Sequence, residues 1–272
     1  MSQAELCKVF GHSRQGFHKH MLLRKERDLQ EEQVLSIVYA IRARQPRVGC
    51  RKMHQEVNRR LLHVGQSPIG RDHMFDLLRE NQLLVKPLKR RTYTTDSYHR
   101  FRTYRNLLKT VVPSGSNQVW AADITYLRHR KGFSYLFLLT DVHSRKIVGY
   151  CVSESLAVEG GLKALRMARR QNNLSQGIIH HSDRGIQYCC DAYVSELKKH
   201  KMLISMTEIN HCYENSLAER VNGTLKNELL LGELFLNHQQ AVLATKQAVE
   251  IYNNERWHES LNYDTPSMRH AA

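Results

Sequence analysis

Apolar residues change their spacing along this chain near Pro113, Ser114 and Gly115, and few folds are compatible with that change. Before this point they recur at intervals of three and four, which is typical of amphipathic helices. After it, stretches rich in β-branched and aromatic residues predict β-strands at 118–127, 133–141 and 146–153. Because the connections between these strands are short, we expect an antiparallel meander. The chain is therefore predicted to contain an all-helical part followed by a part built on a sheet.

The helical part is predicted to bury one apolar face on each of three helices. A shorter pair of helices, separated by Gly11, is predicted within residues 1–22 and gives a helix-turn-helix-like pattern. The positions expected to face the helical core are Val34, Ile37, Val38, Ile41, Met53, Val57, Leu61, Met74, Leu77 and Leu78.

Beyond the three strands, helices and strands alternate. Helices are predicted at 156–170, 192–200, 216–231 and 239–253, and short strands at 177–181 and 203–206. This order is that of the ribonuclease-H-like fold, an α/β core with a mixed five-stranded sheet and flanking helices. Such a fold hosts many activities, so function has to be argued from particular residues.

Charge is distributed unevenly between the two parts. The chain has 41 Lys and Arg against 26 Asp and Glu, a formal net charge of +15. Residues 1–112 hold 23 of those cations and 10 of the acids, a net of +13, whereas the remainder is near neutral at +2. A basic excess of this size disfavours an ordinary enzyme of small metabolites and indicates a polyanionic partner, most often nucleic acid. We therefore expect a DNA-binding part and a part that performs chemistry.

No membrane association or secretion is expected from this sequence. It has no run of about 18 apolar residues, and no apolar stretch follows Met1 to suggest a signal peptide. Its six cysteines form no C-x-x-C pair, which favours free thiols over a zinc site. A cytoplasmic, nucleoid-associated protein is the expectation.

Four segments are predicted: a short helix-turn-helix-like segment at 1–22, a helical DNA-binding domain at 23–85, a basic aromatic linker at 86–116, and a catalytic core with a C-terminal helix at 117–272. The linker interleaves cations with tyrosines, a pattern suited to phosphate contact and base stacking. A helical bundle with a solvated basic face is the alternative for the helical domain. The expected DNA contacts in these two segments are Arg71, Arg79, Lys89, Arg90, Arg91, Arg100 and Arg102.

Three carboxylates stand out in the core. Asp123 interrupts an apolar strand, Asp183 follows the fourth strand, and Glu219 lies on a helix. Taken singly they could be a sheet-edge acid, a turn former beside Gly185 and a solvated helix residue. If they converge, their repulsion requires divalent cations, and an all-oxygen ligand set selects Mg²⁺ or Mn²⁺. Two such ions can promote in-line phosphoryl transfer.

Polar residues on the helix at 216–231 are expected to surround this site. Asn215, Glu219, Asn222 and Lys226 share one helical face, which we expect to point outward, while the opposite face is apolar. Asn222 and Lys226 are expected to contact DNA, and Asn215 to support the carboxylates.

Histidines near Asp183 and polar residues near the C-terminus leave alternatives open. His181 is expected to support Asp183, although it and its neighbours His180 and Ser182 could equally be packing or capping residues. Trp120 is most simply a core residue. The polar C-terminal set can either anchor the last helices or contact a DNA end; its members are Tyr252, Arg256 and His258.

The motifs resemble those of the second-frame (OrfB) subunit of bacterial transposases of the insertion-sequence-three group, whose core is similar to retroviral integrase. The matching stretches are Trp120 to Tyr126, His181 to Tyr188, Glu214 to Arg220, Gly223 to Lys226, Tyr252 to His258, Leu261 and Thr265-Pro266. The resemblance implies Asp123, Asp183 and Glu219 as catalytic metal ligands and Lys226 as a DNA contact. Glu214, Ile186 and Cys50 depart from the family pattern, but the three acids and the lysine remain.

From this resemblance we expect a DNA transposase that binds two Mg²⁺ or Mn²⁺ ions. It would act on terminal inverted repeats and target DNA, as a homo-oligomer on paired ends, with an upstream-frame (OrfA) partner normally fused by frameshifting. The alternatives are a metal-dependent nuclease without strand transfer and a non-catalytic DNA-binding regulator. We also expect DNA contact by the core to depend on divalent metal far more than binding by the N-terminal part.

Overall fold

The structure is a computed structural model that describes residues 3–11, 13–86, 101–171, 177–208 and 215–272. The chain divides into two compact units. One is made of Met1–Arg44 and Val48–Lys86, the other of Gln45–Arg47 and Pro87–Ala272.

The first unit is helical. Its helices are α1 (Gln3–Val9), α2 (Arg14–Arg44), α3 (Cys50–His63) and α4 (Arg71–Glu80). The apolar residues predicted to face its core are buried, apart from Ile37, which is half-buried. The spacing of apolar residues in the sequence therefore identified the core of this unit correctly.

Helix α2 differs from the prediction because it is continuous over 31 residues. Ser13 caps its start, since the Ser13 hydroxyl accepts a hydrogen bond of 2.9 Å from the Gly16 amide. No glycine or proline occurs between Phe17 and Arg44 to stop it. The boundary expected between residues 22 and 23 consequently falls inside a helix, and the separate short second helix expected within residues 1–22 is wrong.

The second unit is built on a mixed five-stranded sheet. Its strands are β1 (Val119–His129), β2 (Gly132–Asp141), β3 (Ile147–Ser153), β4 (Ile179–Ser182) and β5 (Leu203–Met206). They lie in the order β3-β2-β1-β4-β5, with β1, β2 and β3 antiparallel, and with β4 parallel to both β1 and β5. The predicted meander and the ribonuclease-H-like fold are both confirmed.

Helices cover both faces of this sheet. They are α5 (Val158–Gln171), α6 (Ile186–Cys189), α7 (Asp191–Lys199), α8 (Ser216–Asn227), α9 (His238–Asn254) and α10 (Pro266–Ala271). Helices α5 and α7 pack with Trp120 and Phe137 in one apolar cluster. Helices α8 and α9 pack with Leu136 and Leu138 in another. Because successive strand residues point to opposite faces, these two clusters mark the two sides of the sheet.

Trp120 is fully buried, as predicted for a core residue, and its indole N–H donates to the Asn117 side-chain oxygen at 3.1 Å. The end of the expected linker lies against the sheet. The Leu107 amide donates to Ser205 Oγ of β5 at 2.9 Å, and the Asn106 amide donates to Glu208 at 2.8 Å. The structured core unit therefore begins before residue 117.

Two sequence expectations concern the whole chain. None of the helices that the structure describes is both long and apolar enough to cross a membrane. The described cysteines are free thiols, as expected: Cys7, Cys50, Cys151, Cys189 and Cys190.

Candidate active site

Asp123 lies in the middle of β1, opposite Leu138 of β2, and is half-buried. On its other side β1 runs parallel to β4, with Ala121 beside His181. Continuing this register by two residues brings Asp183, which follows β4, level with Asp123. The sheet topology thus places Asp123 of β1 next to Asp183, which directly follows β4.

Asp183 occupies the turn between β4 and α6. One of its carboxylate oxygens, Oδ1, accepts a hydrogen bond of 2.9 Å from the Gly185 amide. The role of turn former, considered above as an alternative, is therefore real. It is compatible with a role in the site because it engages Oδ1 and holds the half-buried carboxylate beside β1.

Helix α8 brings the third carboxylate and two amides to the same strand. Glu219 is exposed on its first turn. The Asn222 amide donates to Asp123 Oδ2 at 2.7 Å, and the Asn215 amide donates to the Ala122 carbonyl at 3.1 Å. Asn215 therefore supports the strand that carries Asp123, consistent with its expected supporting role.

The outward orientation expected for this polar face is wrong for its two asparagines, whereas Glu219 is exposed. Asn215 and Asn222 are only 4% and 6% exposed. Asn222 follows the buried Ala218 by four residues, so a helix rotates it only slightly away from the apolar stripe. Its amide consequently points to β1. In the structure the Asn222 amide holds Asp123, and its predicted DNA contact stays a prediction.

The three carboxylates act on one another electrostatically. Burial, the charge of Asp183 and, to a smaller extent, that of Glu219 raise the pKa of Asp123 to about 7, against the opposing hydrogen bonds from Asn222 and the Ile124 backbone. Burial and the charge of Asp183 also raise the pKa of Glu219. A cation between them would relieve this repulsion.

A second buried aspartate shows what a satisfied carboxylate looks like in the same sheet. Asp141, at the end of β2, accepts hydrogen bonds of 2.7 Å from the Ser144 amide, the Ser144 hydroxyl and the Asn117 amide. Asp123 is instead held by the Asn222 amide and one backbone bond, and it faces two other acids. The two aspartates therefore differ in kind: Asp141 is structural and Asp123 is electrostatically unsatisfied.

Buried oxygen atoms without hydrogen-bond partners surround the site. Among the described residues they include Ser182 Oγ, the Tyr188 hydroxyl and the side-chain oxygens of Asn215 and Asn222. Buried polar atoms without a partner are uncommon in proteins. The pKa of Tyr188 is raised first by burial and then also by the charges of Tyr193, Asp123 and Asp183. Carboxylate and neutral oxygens are the donors that hard divalent cations prefer, so the residues present fit such an ion.

The ligand set is not closed in this conformation. Within the part of the chain that the structure describes, no three His, Cys, Asp or Glu side chains stand close enough to hold a metal ion. Glu219 is exposed, whereas the two aspartates are half-buried.

Lys226 lies one turn beyond Asn222 and is half-buried. Burial lowers its pKa, and the negative charge of Asp123 opposes that effect. The ammonium group therefore lies within electrostatic reach of Asp123. A cation in this position can attract a phosphate group to the carboxylates.

The two histidines before Asp183 have side-chain contacts inside the core unit. His180 is fully buried, and its Nε2 lies 2.9 Å from the Tyr193 hydroxyl. Burial and the neighbouring His181 lower the pKa of His180 to about 3, so its ring is neutral. His181 Nδ1 lies 2.9 Å from Ser205 Oγ, which ties β4 to β5. The expected support of Asp183 by His181 stays a prediction.

The remaining predicted DNA contacts are scattered. Arg71 and Arg79 are exposed on α4, where Arg71 pairs with Asp72 at 2.8 Å and Arg79 pairs with Asp76. The guanidinium of Arg102 lies over the Tyr104 ring, 5.4 Å from its centre. The other predicted linker contacts lie outside the residues that the structure describes: Lys89, Arg90, Arg91 and Arg100.

The polar residues near the C-terminus form an anchor. Arg256 is 5% exposed and makes two hydrogen bonds, of 2.8 and 2.9 Å, to the Glu228 carboxylate. Its Nη1 lies 2.8 Å from His258, and its guanidinium lies over the Tyr252 ring. Of the two interpretations left open by the sequence, the contacts favour the anchor.

Sequence reasoning missed two features of this unit. The unpartnered Tyr188 hydroxyl was not anticipated, although Tyr188 comes only five residues after Asp183. The basic residues on α5 and α7 were also not predicted to form a site, because the net charge of the core is near zero and does not show where its cations lie. Their helical spacing, at Lys163, Arg166 and Arg170, was the available signal.

The sequence of this chain is similar to those of several known proteins. Two family models, both described as "Integrase core domain", match residues 113–212 and 200–266. An "Insertion element IS600 uncharacterized 31 kDa protein" of Shigella sonnei is 35% identical over 267 residues, which cover 96% of each chain. "Transposase InsF for insertion sequence IS3A" of Escherichia coli (strain K12) is 33% identical over 66% of this chain and 64% of its own length.

A structural likeness supports the same fold. A chain of the simian T-cell lymphotropic virus intasome, determined by cryoEM in complex with PP2A regulatory subunit B56 gamma, superimposes with a TM-score of 0.50. The match covers 82% of this chain and 75% of that one, at 15% identity. The sequence relatives and the integrase core matches show that the chain belongs to the insertion-sequence-three family of DNA transposases.

Proposed function

We propose that this transposase cuts and joins DNA at Asp123, Asp183 and Glu219. The observation that supports the proposal is the electrostatic coupling of these acids, which come from a strand, a strand end and a helix: burial, the charge of Asp183 and, to a smaller extent, that of Glu219 raise the pKa of Asp123 to about 7. Burial and repulsion make the ionised cluster costly unless a cation is bound, and perturbed carboxylates grouped in this way are typical of functional sites.

Two divalent ions, Mg²⁺ or Mn²⁺, are the proposed cofactor, and when bound they supply activation of the attacking hydroxyl and neutralisation of the leaving oxygen. Asp123, Asp183 and Glu219 would hold them. Asn222 fixes Asp123 through Oδ2, and the Gly185 amide fixes Asp183 through Oδ1. The Lys226 ammonium would bind a phosphate next to the reacting one.

The proposed reaction has two steps. Water first attacks a phosphodiester at the element end and releases a 3′-hydroxyl. That hydroxyl then attacks a phosphodiester of the target, forms a new bond to its phosphorus and displaces the target's own 3′-oxygen, which leaves as a 3′-hydroxyl. Neither step uses a covalent bond between protein and DNA, which agrees with a site made of carboxylates.

The proposed partners follow from this reaction. The chain would bind terminal inverted repeats and target DNA, and it would act as a homo-oligomer because two element ends have to be held as a pair. An upstream-frame partner, supplied separately or as a frameshift fusion, is also proposed. Predicted contacts for these DNA segments include the exposed Arg71, Arg79 and Arg102, together with the linker cations Lys89, Arg90, Arg91 and Arg100.

Substitution of the three acids tests this proposal. D123N, D183N and E219Q should each lower cleavage and joining by about 10²- to 10³-fold or more, the loss typical when a group that stabilises transition-state charge is removed. DNA binding measured in the same samples should persist. D191N, which changes an exposed aspartate at the start of α7, serves as the matched control and should stay active.

Each other outcome has a definite meaning. Joining that survives in any of the three variants would show that the active site lies elsewhere. Cleavage without joining, even with the upstream-frame partner present, would make the protein a nuclease. Binding of end DNA without cleavage in Mg²⁺ or Mn²⁺, with the partner present, would make it a non-catalytic regulator.

A further inference from the structure

A basic groove lies between α5 and α7, on the surface of the core unit. Its volume is about 330 Å³, and its lining consists of Arg166, Arg169, Arg170, Glu196, Lys199 and His200. Four cations against one carboxylate leave this lining with a formal charge of +3. The concentration of charge contrasts with the net +2 of residues 113–272 as a whole.

Glu196 offsets only part of this charge. Its carboxylate lies 3.2 Å from Arg166 Nε and 3.5 Å from His200 Nε2. Burial raises the pKa of Glu196, but the hydrogen bond and charge of Arg166, with smaller effects from His200 and Lys199, outweigh it and lower that pKa. Glu196 is therefore ionised and compensates one cation, while Arg169 donates to His200, which carries no negative charge.

The stability of the two helices does not by itself explain why these cations lie together in one groove. Cations in the last turn of a helix are favoured by its dipole, and Arg169, Arg170 and Lys199 all lie in last turns. That effect acts on each helix separately. Where the last turns of two helices line one groove, their cations repel each other, because like charges at short range raise the free energy. A polyanion in the groove would reverse this cost.

Phosphate is the ligand that these side chains suit best. Guanidinium groups bind phosphate oxygens through paired hydrogen bonds, and a lysine adds a compact charge. Arg170 and Lys199 are exposed, and the Arg166 side chain is 52% exposed, so an extended ligand can reach them. A DNA backbone offers phosphates in series to match the several cations.

The groove lies away from the candidate active site. Helices α5 and α7 pack on the face of the sheet that carries Trp120 and Phe137. Helix α8, which carries Glu219 and Asn222, packs on the opposite face with Val221 and Leu225. A phosphate in the groove is therefore not the one that reacts.

We propose that the groove between α5 and α7 binds the phosphate backbone of a second stretch of DNA, distinct from the stretch that reacts at the carboxylates. The proposal rests on the proposed function, because a transposase has to hold more than one DNA segment. An acidic protein segment is the other polyanion that could fill the groove.

Lysine footprinting of the full chain tests the proposal directly. A duplex of about 30 base pairs, roughly three helical turns, is added without divalent metal, and lysine acetylation is followed by mass spectrometry. Lys199 should be protected, whereas Lys246, exposed on α9 and outside the groove, should react equally with and without DNA. A poly-glutamate peptide provides the acidic-protein arm and should protect Lys199 less well than DNA.

A pair of charge variants gives a second measurement. R169Q/R170Q should lower the slope of log K against log salt by about 1.8, since each lost phosphate contact is worth about 0.9. K246Q/R269Q removes the same charge from exposed positions outside the groove and should leave the slope unchanged.

Both measurements are made without metal, so they do not depend on catalysis. Unprotected Lys199 at saturating DNA, or an unchanged slope in R169Q/R170Q, would overturn the proposal even if the carboxylate variants lose activity. Protection by poly-glutamate but not by DNA would assign the groove to an acidic protein and also overturn it.

Discussion

At the scale of single residues, the clearest contrast is between two aspartates on adjacent strands. Asp141 is completely buried and accepts three hydrogen bonds, two of them from backbone amides. At Asp123, burial raises the pKa to about 7, and the charges of Asp183 and Glu219 add to that effect. The number of hydrogen-bond donors and the sign of the nearby charges therefore matter to a carboxylate along with its burial.

This contrast predicts opposite effects of the same substitution. The pKa of Asp123 is raised on folding, so its contribution to stability is greatest at acidic pH and is lost as the pH rises through about 7. Without metal, D123N should therefore melt higher than the wild type at pH 8. The gain should grow between about pH 4 and about pH 7. In a chain of this size, each ~1 kcal/mol corresponds to about 2–4 °C.

Calorimetry across this pH range checks the prediction, with D141N as control. D141N should melt lower than the wild type at pH 8, because an amide nitrogen would face donors that Asp141 now accepts from. A D123N protein less stable than the wild type without metal at pH 8 would contradict the electrostatic argument.

Adding Mg²⁺ should raise the melting temperature of the wild type but not of D123N, since only the wild type retains the full ligand set.

At the scale of secondary-structure elements, close packing of α5 on the sheet depends on small residues. A Cβ atom added at Gly160 would lie 2.3 Å from the Phe137 ring, a distance that real contacts essentially never show. G160A should therefore lower the free energy of unfolding by about 1–3 kcal/mol, as expected for overpacking. Chemical denaturation monitored by circular dichroism measures the change.

Gly223 provides the matched control for this prediction. It lies inside α8, and an added Cβ would meet nothing closer than Asn227 at 4.0 Å. G223A should stabilise the protein by roughly 0.5–1 kcal/mol, because alanine is the better helix former. A G160A variant as stable as G223A would show that α5 does not pack against β2 as described.

Most helices and strands could be predicted from the sequence, because the spacing of their apolar residues fits only one of these two structures. The strands and the helices at 156–170 and 239–253 have apolar spacing that allows one interpretation. The orientation of the Asn222 side chain was predicted wrongly. A residue at the edge of an apolar helical face can point either to solvent or to the core, and only the position of β1 determines which orientation it takes. The unpartnered Tyr188 hydroxyl depends on tertiary packing and has no periodic signal.

At the scale of the whole molecule, the charge distribution suggests two kinds of DNA contact. Residues 1–112 carry a net of +13, and the groove between α5 and α7 adds a basic surface to the core. Attraction through these cations needs no metal and weakens as salt rises. The proposed carboxylate site should repel phosphate until cations are bound, because the two divalent ions proposed there would bring four positive charges to it. Affinity for DNA should therefore contain a salt-dependent and a metal-dependent part.

The D183N variant separates these two parts in the full-length chain. Without metal it should bind duplex DNA at least as tightly as the wild type, because it has lost a negative charge. When Mg²⁺ is added at constant ionic strength, the wild type should bind more tightly, whereas D183N should show little change. Fluorescence anisotropy with labelled duplex measures both values. An equal Mg²⁺ increment in the two proteins would mean that metal acts on the DNA or on another surface, and that the near neutrality of the core is unrelated to cation binding.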